Sequence, residues 1–102
     1  MIERDRFAGC IGSRFRVADA PQPDFELKLD AVEEHKAPPD WEVFSLIFQG
    51  PAAPRLEQRI YSLQHSELGE LGLFLVPIGA LPNGICYEAL FNRRRQKEPS
   101  GA

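Results

Sequence analysis

A chain of 102 residues has room for one domain, because it cannot surround two separate cores. With 43% hydrophobic and 26% charged residues it sits among folded globular proteins, not among disordered chains. The formal charge of −3 is unevenly spread: Arg93, Arg94, Arg95 and Lys97 oppose Glu98 in the last ten residues, which leaves 8 basic and 14 acidic groups in the first 92. An acidic body repels phosphate backbones and argues against nucleic acid as a partner.

Seven Phe, two Tyr and one Trp accompany nine Pro and eight Gly, a mixture that suits short strands divided by turns. The longest apolar stretch, Leu71 to Leu81, is too short for a membrane helix and is broken by Gly72, Pro77 and Gly79, so no membrane partner is expected. The opening Met-Ile-Glu-Arg-Asp-Arg is charged from its third residue and lacks an apolar signal region. The expectation is a protein that stays in a reducing cytoplasm at synthesis. Cys10 and Cys86 lie 76 residues apart with no Cys-x-x-Cys, which favours two free structural thiols over a disulfide.

In chain order, Phe7, Cys10 and Ile11 share one face of a short helix that Gly12 can close in a left-handed conformation. Ser13–Ala18 reads as a strand with Phe15 and Val17 inward and Arg14 and Arg16 outward, ended by Pro21 and Pro23. Asp24–Val32 carries the clearest signal: Phe25, Leu27, Leu29 and Ala31 alternate with Glu26, Lys28 and Asp30. His35–Asp40 reads as a loop. Trp41–Gln49 is a strand with Phe44, Leu46 and Phe48 inward, broken by Gly50-Pro51. Gln58–His65 turns Tyr61 and Leu63 inward, Ser66–Gly69 is a turn, and Leu71–Ile78 is apolar on both faces. Pro82-Asn83-Gly84 has turn chemistry, with left-handed angles expected at Asn or Gly. Ile85–Asn92 closes the fold with Ile85, Tyr87, Ala89 and Phe91 on one face.

These elements predict a mainly β protein: a small six-stranded antiparallel barrel or sandwich with a short N-terminal helix. The domain spans residues 1–92, and residues 93–102 form a disordered basic tail.

The chemistry-bearing residues are few. His65-Ser66-Glu67 offers a base, a hydroxyl and a carboxylate, but neighbours along a strand point to opposite faces and rarely form a triad. His35 behind Glu33 and Glu34 falls short of the three or four ligands a metal needs. Gly9-Cys10-Ile11-Gly12-Ser13 lacks the Lys of a phosphate-binding loop. No catalytic, cofactor or metal set emerges, and no cofactor is expected. The basic run at 93–97 has no interleaved aromatics of the kind that stack on single strands.

What stands out is an apolar surplus. Val43, Ile47, Ile60, Phe74, Val76, Ile78 and Leu90 fall opposite the assigned core. Either a sandwich or a different assignment of faces buries them, or they meet another protein, and Ile47, Phe74, Val76 and Ile78 are the candidate contact residues.

The second half resembles a small uncharacterised bacterial domain family. The resemblance rests on Phe44-Ser45-Leu46-Ile47-Phe48-Gln49-Gly50-Pro51, Tyr61-Ser62-Leu63-Gln64-His65, Leu68-Gly69, Phe74 to Gly79, and Tyr87-Glu88-Ala89-Leu90-Phe91-Asn92. Phe7, Gly12 and Phe15 also fit, so it covers about 90 residues. Members of that family are often encoded beside phage-derived tail-collar fibre proteins of the microcystin-dependent type. The resemblance therefore implies an accessory or assembly role in a fibre-like structure, and brings no catalytic residues.

The first functional expectation is a non-enzymatic interaction or assembly module whose partner is a tail-collar fibre protein or a second copy of the chain. The alternative is a small ligand-binding or hydrolytic β-barrel using His65 and nearby carboxylates.

Overall fold

Alternation along the strands is realised as a closed barrel. The computed structural model describes residues 2–94. It contains helix α1 (Arg4–Ala8) and strands β1 (Arg14–Val17), β2 (Glu26–His35), β3 (Trp41–Gly50), β4 (Arg59–His65), β5 (Gly69–Leu81) and β6 (Gly84–Arg94). All pairings are antiparallel, in the cyclic order β1-β2-β3-β6-β5-β4 with β4 returning to β1. A barrel, not a sandwich, is the form that the expected six strands take.

One face of each strand fills the interior. Phe15, Leu27, Leu29, Phe44, Leu46, Phe48, Leu63, Leu75 and Tyr87 are fully buried there. Each such side chain contributes about 1.5–3 kcal/mol by leaving water, which is what closes the sheet on itself. Phe15 meets Phe48 edge-on at 5.3 Å, a favoured aromatic geometry.

Both mouths are plugged. β3 and β4 lie across the ring from each other, so the segment between them crosses one mouth and drops Leu56 into the core. The Leu56 N–H donates to the Tyr87 hydroxyl at 2.8 Å, which satisfies a polar tip inside an apolar wall. At the other mouth α1 inserts Phe7, whose ring packs on Phe91 at 5.4 Å and on Phe44 at 6.2 Å.

Several expectations change. Ile11 is half exposed, because α1 ends at Ala8 and leaves it beyond the last helical turn. Gly12 does take a positive φ of 92°. A bulge between Leu29 and Ala31 inserts one residue into β2 and inverts its alternation. Ala31 therefore lies opposite outward-facing Ile47, and Val32, opposite buried Leu46, packs against the core instead. The bulge also carries β2 through His35, which pairs with Val43 and is not in a loop.

The Pro82–Asn83 turn forms without a left-handed residue. Gly84 is needed for another reason: a Cβ there would sit 2.2 Å from the Gly50 carbonyl oxygen. β6 runs two residues past the expected Asn92, because β3 starts at Trp41 and pairs with Arg94. Arg93 and Arg94 thus belong to the sheet, while the remainder of the expected tail lies outside the described residues.

Candidate interaction surface

The two histidines are tied down, each in its own way. His65 ends β4, is 8% exposed, and stacks on Phe15 with ring centres 4.4 Å apart. Its Nδ1 accepts the backbone N–H groups of Glu67 (3.1 Å) and Leu68 (3.2 Å), which shapes the turn into β5. Nε2 must then carry the proton and donate to the Ser13 hydroxyl at 2.8 Å. That hydroxyl in turn donates to the Cys10 carbonyl at 2.5 Å. Both ring nitrogens are committed to backbone organisation, and the adjacent Ser66 and Glu67 are exposed to solvent on the turn.

His35 sits on the outer face of the β2-β3-β6 wall. Its Nε2 lies 2.8 Å from Ser45 Oγ, and Ser45 Oγ donates to Glu88 Oε2 at 2.6 Å. With the serine proton given to the carboxylate, His35 Nε2 is the donor to Ser45. The serine stands between the imidazole and the acid, whereas nucleophile activation needs the imidazole between them. Ser45 is also fully buried. The chain ties three adjacent strands together across their outer surface, and the sequence had offered His35 only as a loop residue.

Around this network the outer face is apolar. Ile47 and Val76 flank Glu88 in one row across β3, β6 and β5, and both are half-buried. Ile60 of β4 stands opposite Phe74 of β5, and they are 65% and 48% exposed. Ile78 occupies the bulge between Pro77 and Gly79 and is 50% exposed, while Leu90 on β6 is 59% exposed. The structure thus places all four predicted contact residues on the outer wall. It adds Ile60 and Leu90 as the most exposed of the surplus apolar residues.

Cys86 lies on the same wall, opposite Gln49 and Gly79. Burial pushes its thiol up from the ordinary range, and the carboxylates of Asp30, Glu33 and Glu88 push it further. The shift favours the thiol over the more nucleophilic thiolate. Cys10 and Cys86 are both free. Among the described residues, no three His, Cys, Asp or Glu side chains gather as a metal would require. No helix among them is long and apolar enough to cross a membrane.

Clefts open at two places among the described residues. One, of about 270 Å³, is lined by Lys36, Ala37, Pro38, Trp41, Val43 and Asn92 at the β2–β3 hairpin. The other, of about 470 Å³, is lined by Arg55, Leu56, Glu57, Gln58 and Pro77 beside the crossing segment.

A small closed barrel with plugged mouths and an apolar outer wall defines the class of domain. Over residues 2–91 the chain matches the model of the family described as domain of unknown function DUF6916, and it belongs to that family. No curated protein and no solved structure is similar enough to the chain to count as a match.

Proposed function

We propose that this domain is a non-catalytic interaction module that docks a protein partner on its outer wall. The observation that carries the reading is the exposed cross-strand pair Ile60 and Phe74, extended by Ile78 and Leu90. The core is complete without them, so nothing in the packing of the monomer accounts for four large apolar side chains at the surface. Such a set is the usual mark of a contact site. The partner expected from the family resemblance is a tail-collar fibre protein, beside which the domain would act as an accessory in a fibre-like assembly.

The commitment of His65 to Ser13 and to the turn backbone supports a non-catalytic reading over a hydrolytic one. So does the central position of Ser45 between His35 and Glu88.

The test is affinity purification of a tagged copy from its native host, with mass spectrometry of what comes with it. The wild type is expected to retain a defined protein, and Phe74→Glu to lose it while keeping the far-UV circular dichroism of the wild type. Retention of the same protein by Phe74→Glu together with Ile60→Glu would rule out the outer wall as the docking surface.

A further inference from the structure

The two histidines answer a proton differently. An imidazole that gains one carries N–H on both nitrogens and has no acceptor left. On the outer wall His35 is exposed and gives its Nε2 proton to Ser45 at 2.8 Å, a bond that the imidazolium keeps. His65 is buried, and its Nδ1 is the acceptor for two backbone N–H groups at once, those of Glu67 and Leu68. A proton on Nδ1 would aim a third donor at these two, so the ring cannot be charged while the turn keeps its shape. Ser66 and Glu67 are exposed and Leu68 is half-buried, which makes this turn the part of the surroundings that can give way.

The ring also fastens a second segment. Nε2–H holds the Ser13 hydroxyl, that hydroxyl donates to the Cys10 carbonyl, and the Cys10 N–H donates to the Phe7 carbonyl at 2.9 Å. His65 thereby joins the turn between β4 and β5 to the segment carrying Phe7, which plugs the mouth. A longer link runs alongside, from the Arg6 guanidinium to the Glu67 carbonyl at 3.4 Å. The titratable and charged groups nearby are Arg6 of α1, Cys10 between α1 and β1, and Glu67 of the turn; Arg14 on β1 and Glu70 on β5 are exposed. Cys10 feels two of them: burial and Glu67 push its thiol up, and Arg6 works in the opposite direction. β1 presents the Phe15 ring to the imidazole, and β5 places Gly69 opposite it. Among the described residues no carboxylate bonds either ring nitrogen, so no anion holds an imidazolium in place.

We propose that His65 is an acid-sensitive latch: neutral, it holds the turn between β4 and β5 closed, and protonated, it lets that turn go. The proton enters at Nδ1. Nε2 keeps its own proton and its bond to Ser13, while the Glu67 and Leu68 N–H groups turn to water. Histidine is the side chain whose charge changes between about pH 5 and 8, so the device operates on mild acidification. It uses no residue of the apolar outer wall and stands independently of partner docking there.

The experiment is nuclear magnetic resonance on the full chain, titrated from about pH 8 to about pH 5 across the range in which histidine changes charge. Imidazole nitrogen shifts report the protonation of each histidine, and amide exchange, corrected for its intrinsic pH dependence, reports the turn. At the upper end His65 is expected to carry its proton on Nε2. As it gains the second proton, protection at the Glu67 and Leu68 amides should fall in step by about tenfold or more, while protection at the core residue Leu46 holds. His65→Asn places an amide oxygen near the position of Nδ1 and does not titrate, so it should keep the turn protected at both ends of the range. His35→Gln should leave the acid response as in the wild type. A His65 that is still neutral at the lower end, or one that is protonated with the turn still protected, would overturn the proposal. So would an acid response that survives in His65→Asn or vanishes in His35→Gln. The wild-type titration decides the matter by itself if His65→Asn does not fold.

Discussion

On β5, Leu73 and Leu75 are buried while Phe74 between them is 48% exposed; on β6, Tyr87 and Ala89 are buried while Leu90 is 59% exposed. The lining and the outer wall of the barrel are thus equally apolar at several positions, yet the lining alone accounts for the closure of the sheet. Inside, the large side chains are out of water and the polar tips of Tyr61 and Tyr87 are hydrogen-bonded. Outside, Ile60 and Phe74 stand as a cross-strand pair with water on one side, and Ile78 and Leu90 are exposed singly. Hydrophobic sequence therefore identifies two different things here, a core that folds the chain and a surface that is left over once it has folded. Substitutions separate the two.

The largest effect is expected inside. Phe44 is fully buried, stacks on Phe91 at 4.8 Å with the rings nearly parallel, and meets Phe7 from α1. Phe44→Ala removes the side chain on which the helical plug rests and should cost about 3–5 kcal/mol. Chemical denaturation checks it: a midpoint equal to that of the wild type would mean that α1 plugs nothing.

Tyr87 comes next. It is fully buried, and its hydroxyl is the acceptor for the Leu56 N–H of the crossing segment. Burial pushes its phenol up from the ordinary range, and the bond from Leu56 opposes that shift without cancelling it. Tyr87→Phe keeps the ring and orphans the N–H, so a loss of about 1–3 kcal/mol is expected. Hydrogen exchange at Leu56 should rise with it. Unchanged exchange there would show that the crossing segment is held by apolar packing alone.

Much of the lining was legible in the sequence, and the reasons for the exceptions are local. Phe25, Leu27, Leu29, Phe44, Leu46 and Phe48 follow from strict alternation, and all six are buried. Alternation fails at Asp30 because one inserted residue reverses the faces that follow. The adjacent apolar pair Ala31-Val32 is the trace it leaves in sequence. The same kind of irregularity at Pro77–Gly79 is foreshadowed by a proline that cannot donate to the ladder. Gly84 read as a turn residue, but its role is to let β6 pass close to Gly50. The His35–Ser45–Glu88 chain was not legible, since it joins residues 10 and 43 positions apart along the chain whose proximity depends on the strand order. The outer wall was visible as a surplus of apolar residues, while the pairing of Ile60 with Phe74 needed the register.

A smaller effect belongs to a polar tie at the crossing mouth. The Asp19 carboxylate accepts the Ser62 N–H at 2.9 Å and the Arg59 guanidinium at 3.2 Å. Partial burial works to raise its pKa, but the hydrogen bonds from Ser62 and Arg59 and the Arg59 charge outweigh it and hold the carboxyl below the ordinary value. A carboxyl whose folded pKa is depressed stabilises the fold fully above its unfolded pKa of about 3.9 and loses that contribution as pH falls through the folded value. Asp19→Asn should therefore lower the melting temperature slightly at neutral pH, and the two proteins should converge as the pH falls well below 4. A difference that persists undiminished at low pH would mean that the charge is not what ties the turn after β1 to β4.

The smallest change in stability is expected where the comparison matters most. Ile60 and Phe74 face each other across β4 and β5, and among the described residues no further layer covers their exposed sides. Replacing either by Glu removes apolar area that is already in water to about half its extent, so each single change should shift folding stability by about 0.5 kcal/mol or less. Introduced together, the two carboxylates would stand directly opposite across the strand pair, where like charges repel. The double variant should therefore be less stable than the two single effects combined, and the excess should shrink as salt is added. A large loss from Phe74→Glu alone would move this residue into the core and reduce the outer wall to packing. A small loss, with the double variant showing the salt-sensitive excess, would establish that the pair is solvent-facing. The two side chains would then owe their place to something other than the fold of the single chain.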